Sequence, residues 1–352
     1  MKKTLLFFAL VLGCLSLSAQ KPAKAEIKQL QQFFTQPAEK DGTNADVLKI
    51  TDLKDPSTWD GVTIENGHVT AIDWKGRHLS GNLNLSGFKA LVKADVSRNS
   101  LTGLTIDGAT ALTDLNASHN RLTSLSLNGV TALTKCAVNN NRLTEIDLTG
   151  TTALKSLNCA NNYFVALNVS GSTTLETLNC LGNHLEALTV TGCTNLKNLY
   201  TGYNKLTELN LFGTENLTNL NVDDNRLSNL IISGQPALST FLCSDNSMQT
   251  LVMRDCNNLL DLVCSYNDLT SLTVQNCANL EYVDCSYNDL STLTLSNQTF
   301  LRRLICNNNQ LNMLDVSFDQ NLTYINCRYN TIVDLRTEAC PNLSQISCRW
   351  NF

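Results

Sequence analysis

Charge is the first thing this chain lacks: Asp, Glu, Lys and Arg together make up 16% of its 352 residues. The formal balance of −5 falls to −7 without Lys2 and Lys3, which leaves no basic face to neutralise phosphates or anionic lipid. Nucleic acid is therefore not an expected partner. Long apolar stretches are scarce too. The run from Leu5 to Leu12 is too short for a bilayer and no other follows, so no membrane span is expected. The groups of common catalytic chemistry are also missing. The four histidines, His68, His78, His119 and His184, fall in no ligand spacing such as HExxH, and there is no Gly-rich phosphate loop, GxSxG elbow or CxxC pair. Neither an enzyme nor a cofactor is expected.

What is present begins with Lys2-Lys3, the short apolar run and small residues ending at Ala19, the pattern of an export signal over residues 1–19. Cleavage after Ala19 is the first reading. The alternative is a lipid anchor, because Val11-Leu12-Gly13-Cys14 loosely resembles a lipoprotein box that leaves Cys14 acylated. Either route places the chain in the periplasm, at the cell surface or outside the cell.

From Leu91 to Asn342 the sequence divides into twelve units of 21 residues without an insertion, and a thirteenth, residues 343–352, stops half-way. The unit is LxxLxCxxNxLxxLxVxxxxx, as in LKSLNCANNYFVALNVSGSTT from Leu154. Position nine is Asn in every unit, from Asn99 to Asn351. One column of one residue type is a backbone requirement: each amide is expected where a strand ends and the chain turns, bonding groups that would otherwise be orphaned. Apolar residues recur at positions one, four, six, eleven, fourteen and sixteen, with strand-like alternation around four and six.

On these residues the chain resembles the leucine-rich-repeat family, whose LxxLxLxxNxL signature covers almost everything after residue 90. More narrowly, it is similar to a bacterial 21-residue subtype with nested half-repeats of ten and eleven residues, found in exported proteins of Bacteroidetes-like gut bacteria. The resemblance implies a β-rich solenoid: a parallel sheet on one flank from the first halves, and short strands or turns on the other from the second.

Fourteen cysteines in an exported chain would ordinarily suggest a disulfide framework. Here Cys159, Cys180, Cys243, Cys264, Cys285, Cys306, Cys327 and Cys348 occupy position six, an inward apolar slot, and are expected to form a ladder of buried thiols acting as small hydrophobes. Cys136, at position four, is expected in the core. Cys193, Cys256, Cys277 and Cys340 stand at position nineteen, in the turn before the next unit. They are expected to be free, with a disulfide between the adjacent Cys256 and Cys277 as the alternative.

Residues 20–68 read as an N-terminal cap with one amphipathic helix, since Ile27, Leu30, Phe33 and Phe34 share a helical face. Residues 69–90 read as an atypical first repeat. Residues 343–352 offer no comparable cap, which makes self-association through them a candidate.

With no catalytic groups, function is expected at the variable strand positions. Position eight is polar in early units (Arg98, His119, Asn140, Asn161) and aromatic in later ones (Tyr203, Tyr266, Tyr287, Tyr329, Trp350), while position five carries Tyr200, Leu242, Val263 and Ile305. Aromatic and aliphatic residues side by side on a rigid sheet are the composition of protein- and glycan-binding patches. The competing reading is that the rings only pack over the turn and steady neighbouring rungs. Asp223, Asp224 and Asp245 are a weak metal candidate, because like charges so close call for screening or a bridging cation. The sequence thus points to an exported binding module, with a structural or assembly component as the alternative.

Overall fold

The computed structural model describes residues 23–295, 298–317, 319–338 and 340–351. The expected export signal, Cys14 and Phe352 lie outside the described residues.

In each of the twelve full units, alternation over positions three to five gives a three-residue strand whose middle side chain is buried and whose neighbours face outward, as in Thr177-Leu178-Asn179; in the terminal half unit the middle residue, Ile346, is exposed. Residues 21 apart pair in parallel, for example Asp114 with Lys135 and Tyr324 with Gln345. The result is a 15-stranded sheet whose first two strands, β1 (Val62–Glu65) and β2 (His68–Asp73), are antiparallel. On the opposite flank the second halves form separate parallel sheets of two or three strands, such as Asn229–Ser233, Thr250–Arg254 and Ser271–Gln275. Residues 145–147, 208–210 and 292–294 interrupt that flank with non-strand backbone. The β-rich solenoid with a parallel sheet and short strands or turns opposite it is therefore the observed architecture.

Between the flanks lie the apolar columns. In one rung Leu259, Leu262, Cys264, Leu269, Leu272 and Val274 are all buried. Every described cysteine is free, and of the position-six column only Cys348 is exposed. Burial pushes the thiols of Cys136 and Cys180 up to about 12, so they are neutral packing groups and not nucleophiles.

The Asn column ties each rung to the one before. Asn267 donates from Nδ2 to the carbonyls of Cys243 (3.0 Å), Cys264 (3.3 Å) and Ser265 (3.2 Å), and its Oδ1 accepts from the amide of Met248 at 3.1 Å. The same set recurs, rung after rung, at Asn120, Asn162 and Asn288. Strand-end carbonyls that point away from any ladder partner find their donors here.

The position-nineteen cysteines are free and lie in the turn, as expected, yet they are buried: Cys193, Cys256 and Cys277 fully, with Cys340 9% exposed. The turn folds this position inward, so that Cys193 and Cys340 donate to the carbonyls of Val169 (3.1 Å) and Val316 (2.9 Å). The same column holds Gln235, Gln298 and Asp319, all buried, each with one side-chain oxygen lacking a partner.

At the N-terminal end, α1 (Lys24–Phe34) buries Leu30, Phe33 and Phe34. Phe33 stacks on Trp74 at 5.6 Å, and Phe34 meets Trp59 edge-on at 4.9 Å. A second, four-residue helix, α2 (Asn44–Val47), was not expected; it is held by a capping box between Thr43 and Asp46. Its buried Asn44 donates to the carbonyls of Phe33 and Ser80, both at 3.0 Å, fastening this segment to the first rung. The segment expected to be cap also supplies β1 to the long sheet.

Two outcomes follow from these buried polar groups. Asn267→Ala should lower stability in a denaturant melt by about 1–3 kcal/mol for each backbone group left unsatisfied. Isosteric Asn267→Asp should cost at least as much at neutral pH, because it turns a donor facing three carbonyls into an acceptor; a wild-type midpoint for either variant would contradict the ladder. At Asp319, burial first and neighbouring Asp315 second push the carboxyl up to about 7. The folded chain thus holds this proton to about pH 7 while the unfolded chain releases it near pH 4, so the group costs stability as pH rises between those values and nothing below them. Asp319→Asn should therefore gain on the order of 2–4 kcal/mol relative to wild type between pH 4 and pH 8. Parallel stability–pH curves for the two proteins would refute this.

Candidate functional site

Position eight follows the strand and precedes the ladder Asn, and its backbone is left-handed: φ lies between 50° and 63° at Arg98, His119, Asn140, Asn161, Tyr203, Asp224, Asp245, Tyr266, Tyr287, Asn308, Tyr329 and Trp350. Gly and Asn suit this conformation and bulky residues pay a steric penalty in it. The aromatic residues are therefore at the position the fold least favours for them, and they are exposed: Tyr203 64%, Tyr266 50%, Tyr287 44% and Tyr329 52%. Tyr266 and Tyr287 stack at 4.3 Å between centroids with an 8° interplanar angle, and Tyr329 lies parallel to Trp350 at 6.0 Å. Part of the local strain is thus offset by ring contact between rungs.

The position-five residues Tyr200, Leu242, Val263 and Ile305 are half-buried on the same face. Leu242 and Val263 are direct partners in adjacent strands, but Asn221 separates Tyr200 from Leu242, and Asp284 separates Val263 from Ile305. The eight candidates consequently fall into three groups. Tyr200 and Tyr203 share one rung; Leu242, Val263, Tyr266 and Tyr287 form a contiguous central patch; Ile305 and Tyr329 lie beyond it. From Tyr203 to Tyr266 is three rungs, about 14 Å at the spacing of paired strands.

Carboxylates surround the central patch. Burial raises Asp223 above the usual carboxylate range, and the like charges of Asp224 and Asp245 add to it; Asp245 is raised by burial and by Asp224, and Asp261 by burial and by Glu281. The negative charge of Asp224 raises the phenol of Tyr203, and the bond to Tyr287 raises that of Tyr266. The three aspartates weighed as a metal site do not converge. Asp223 spends its oxygens on the amide of Ser244 (2.7 Å) and the side chain of Asn221 (3.0 Å), and no three His, Cys, Asp or Glu side chains gather as a metal-binding group among the described residues.

Position three was overlooked by the sequence reading. There Tyr282, Arg303 and Tyr324 occupy consecutive rungs, with the Arg303 guanidinium 4.6 Å from the Tyr324 ring centroid and 5.9 Å from that of Tyr282. Their signal was the one used at positions five and eight, aromatic residues confined to late rungs. On the opposite flank Phe212 and Ile231 are 77% and 71% exposed. They line a cleft of about 350 Å³ where residues 208–210 leave the strand pattern.

No family model and no curated relative matches the chain. Solved structures do. YopM from Yersinia enterocolitica WA-314 shares 25% identity over 78% of this chain and 63% of its own, with a TM-score of 0.62. YopM from Yersinia pestis, described as a leucine-rich effector protein, shares 25% identity over 76% of each chain, with a TM-score of 0.63. A chain of the octameric complex of latrophilin 3, Unc5D and the leucine-rich-repeat part of FLRT2 matches at 19% identity over 66% of this chain and 76% of its own, with a TM-score of 0.51. The fold is thus a leucine-rich-repeat solenoid, and this chain spans less than two thirds of the Yersinia enterocolitica protein. Among the described residues no helix is long and apolar enough to cross a membrane.

The left-handed position generates its own test. Tyr203 has no stacking partner at position eight, since its neighbours there are Gly182 and Asp224. Tyr203→Asn should therefore raise the thermal midpoint, whereas Tyr266→Asn, which also breaks a stack, should gain less or lose. Circular-dichroism melts giving Tyr203→Asn a midpoint below wild type would contradict the assignment of strain.

Proposed function

We propose that the chain is an exported binding module that holds a protein or glycan ligand at the bacterial envelope or exterior, on the outward face of its long sheet. The observation that carries this reading is the exposed Tyr266–Tyr287 stack, built on backbone that disfavours bulky side chains and flanked by Leu242 and Val263. Aromatic groups kept where the fold does not want them, next to aliphatic ones, have the composition of interface anchors. Export is supported by Lys2-Lys3 and the apolar run that follows them. The protein-ligand side is supported by the leucine-rich-repeat neighbour found in a complex with other proteins.

The test is a screen of the full chain against glycan and protein arrays, followed by two double variants. Tyr266→Ala with Tyr287→Ala should weaken the ligand so found by about tenfold or more, the usual loss on truncating central aromatic anchors. His119→Ala with Asn140→Ala, on the early rungs, should leave it unchanged. The reverse pattern would put the site in the other half of the solenoid.

A further inference from the structure

Resting on the strand-face reading above, the class of partner can be narrowed from charge. At the outward positions two, three, five, seven and eight of the four rungs that begin at Leu217, Leu238, Leu259 and Leu280 stand Asp223, Asp224, Asp245, Asp261, Glu281 and Asp284, and no Lys or Arg. Only Glu281 has an ion-pair partner, Arg302 at 3.4 Å; the other five have none among the described residues. The rungs on either side are different. Earlier rungs mix the signs at these positions, Lys93, Arg98, Lys135, Lys155 and Lys197 against Asp95, Asp114 and Glu176, and later ones carry Arg302, Arg303, Arg328 and Arg349 with no Asp or Glu. The stretch with acidic residues and no basic one thus spans these four rungs, the last two of which carry the Tyr266–Tyr287 stack.

We infer that this part of the sheet face docks a basic, extended segment of a protein partner, with arginine or lysine side chains set against the Tyr266–Tyr287 rings and paired with Asp224, Asp245, Asp261 and Asp284. Three observations select this occupant. The carboxylates are spread over four rungs, about 14 Å at strand spacing, which matches charges strung along a chain and not one ion. The three aspartates on the first two rungs do not gather as a metal-binding group, and Asp223 already accepts from the Ser244 amide and the Asn221 side chain. At its border the face already takes a guanidinium, since Arg303 lies over Tyr324 and toward Tyr282. A neutral sugar could cover the rings but would leave five carboxylates uncompensated, and an anionic partner would be repelled. Burial and mutual repulsion raise Asp223, Asp245 and Asp261; only Asp223 is partly offset within the chain, by its bonds to Ser244 and Asn221, and a cationic partner would oppose the shift at all three.

The experiment uses the full chain in solution and three immobilised synthetic peptides of equal length, alternating Arg, Gln or Glu with Ser, read by biolayer interferometry. The Arg peptide should bind about tenfold or more tightly than the Gln peptide, weaken as salt rises from about 0.05 M to about 0.5 M, and leave the Glu peptide unbound. Asp245→Asn with Asp261→Asn should reduce that binding by about tenfold, and Tyr266→Ala with Tyr287→Ala by a similar factor at unchanged charge. The tyrosine pair separates a built site from unspecific ion exchange, so full retention of Arg-peptide binding in that variant overturns the inference. Equal binding of the Gln peptide also overturns it, as does a dimer in sedimentation velocity that Asp245→Asn with Asp261→Asn abolishes, because the occupant is then a second copy. An array ligand that needs Tyr266 and Tyr287 but ignores the two aspartate changes would overturn the basic partner while leaving the strand-face binding module standing.

Discussion

The side-chain amide at the ninth position of each unit is the contact on which the other regularities depend. It reaches back to the carbonyl 24 residues earlier and to the amide 19 residues earlier, as Asn288 does with Cys264 and Leu269. Those two spans fix the offset between successive rungs from both sides, so a unit cannot gain or lose a residue without breaking one of the bonds. Within the rung the same amide donates to the carbonyl three residues back, Cys285 in this case, and so closes the turn that follows the strand. The apolar columns supply the larger share of stability and also resist a slip, which would turn their alternating strand side chains outward. Register is thus set twice, by the apolar alternation and by a polar group in an otherwise apolar interior. Because each rung touches only its neighbours, a fault at one amide weakens the stack locally and on both sides.

Fold class was legible because the same local problem is solved over and over. Leu, Asn and Cys columns repeat at fixed spacing, and repetition removes the ambiguity that a single LxxLxL would leave. The columns that were misread are those where several residue types satisfy one backbone. Position eight accepts Gly182, Asn140, Asn161, Asn308, Asp224 and Asp245, a Gly/Asn/Asp mixture that marks left-handed backbone, but the bulky residues in the same column mask it. Position nineteen alternates Ala109, Val130, Cys193 and Cys256 with Thr, Ser and Gln, a mixture that fits a turn but does not reveal that its side chain folds inward. Residues 35–68 repeat nothing, so α2 and β1 could only have come from their individual signals. The Thr43–Asp46 capping box was one such signal.

The candidate site was legible in type and less so in layout. Tyr266 and Tyr287 on neighbouring rungs were bound to lie close, since the repeat carries equivalent positions to adjacent places. What a column view cannot supply is the interruption between columns. Asp284 stands between Val263 and Ile305, and Asn308 between Tyr287 and Tyr329, so an apolar surface imagined as continuous is cut into patches with charge at their margins.

This division of labour bears on where function can reside in such a chain. Positions one, four, six, nine, eleven, fourteen and sixteen are committed to the stack, and a change there is felt in stability. The outward positions are free of that duty, and a residue that recurs there without structural need is informative in proportion to its cost. Asparagine, aspartate or glycine at position eight costs the backbone little and tells little. A tyrosine at the same place strains the backbone, exposes a large apolar ring to water, and recovers only part of that through its neighbour. Two such residues on consecutive rungs, inside a stretch of the face that carries carboxylates and no basic residue, combine two departures from what the fold alone would choose. Their coincidence in one place is harder to assign to packing than either would be alone.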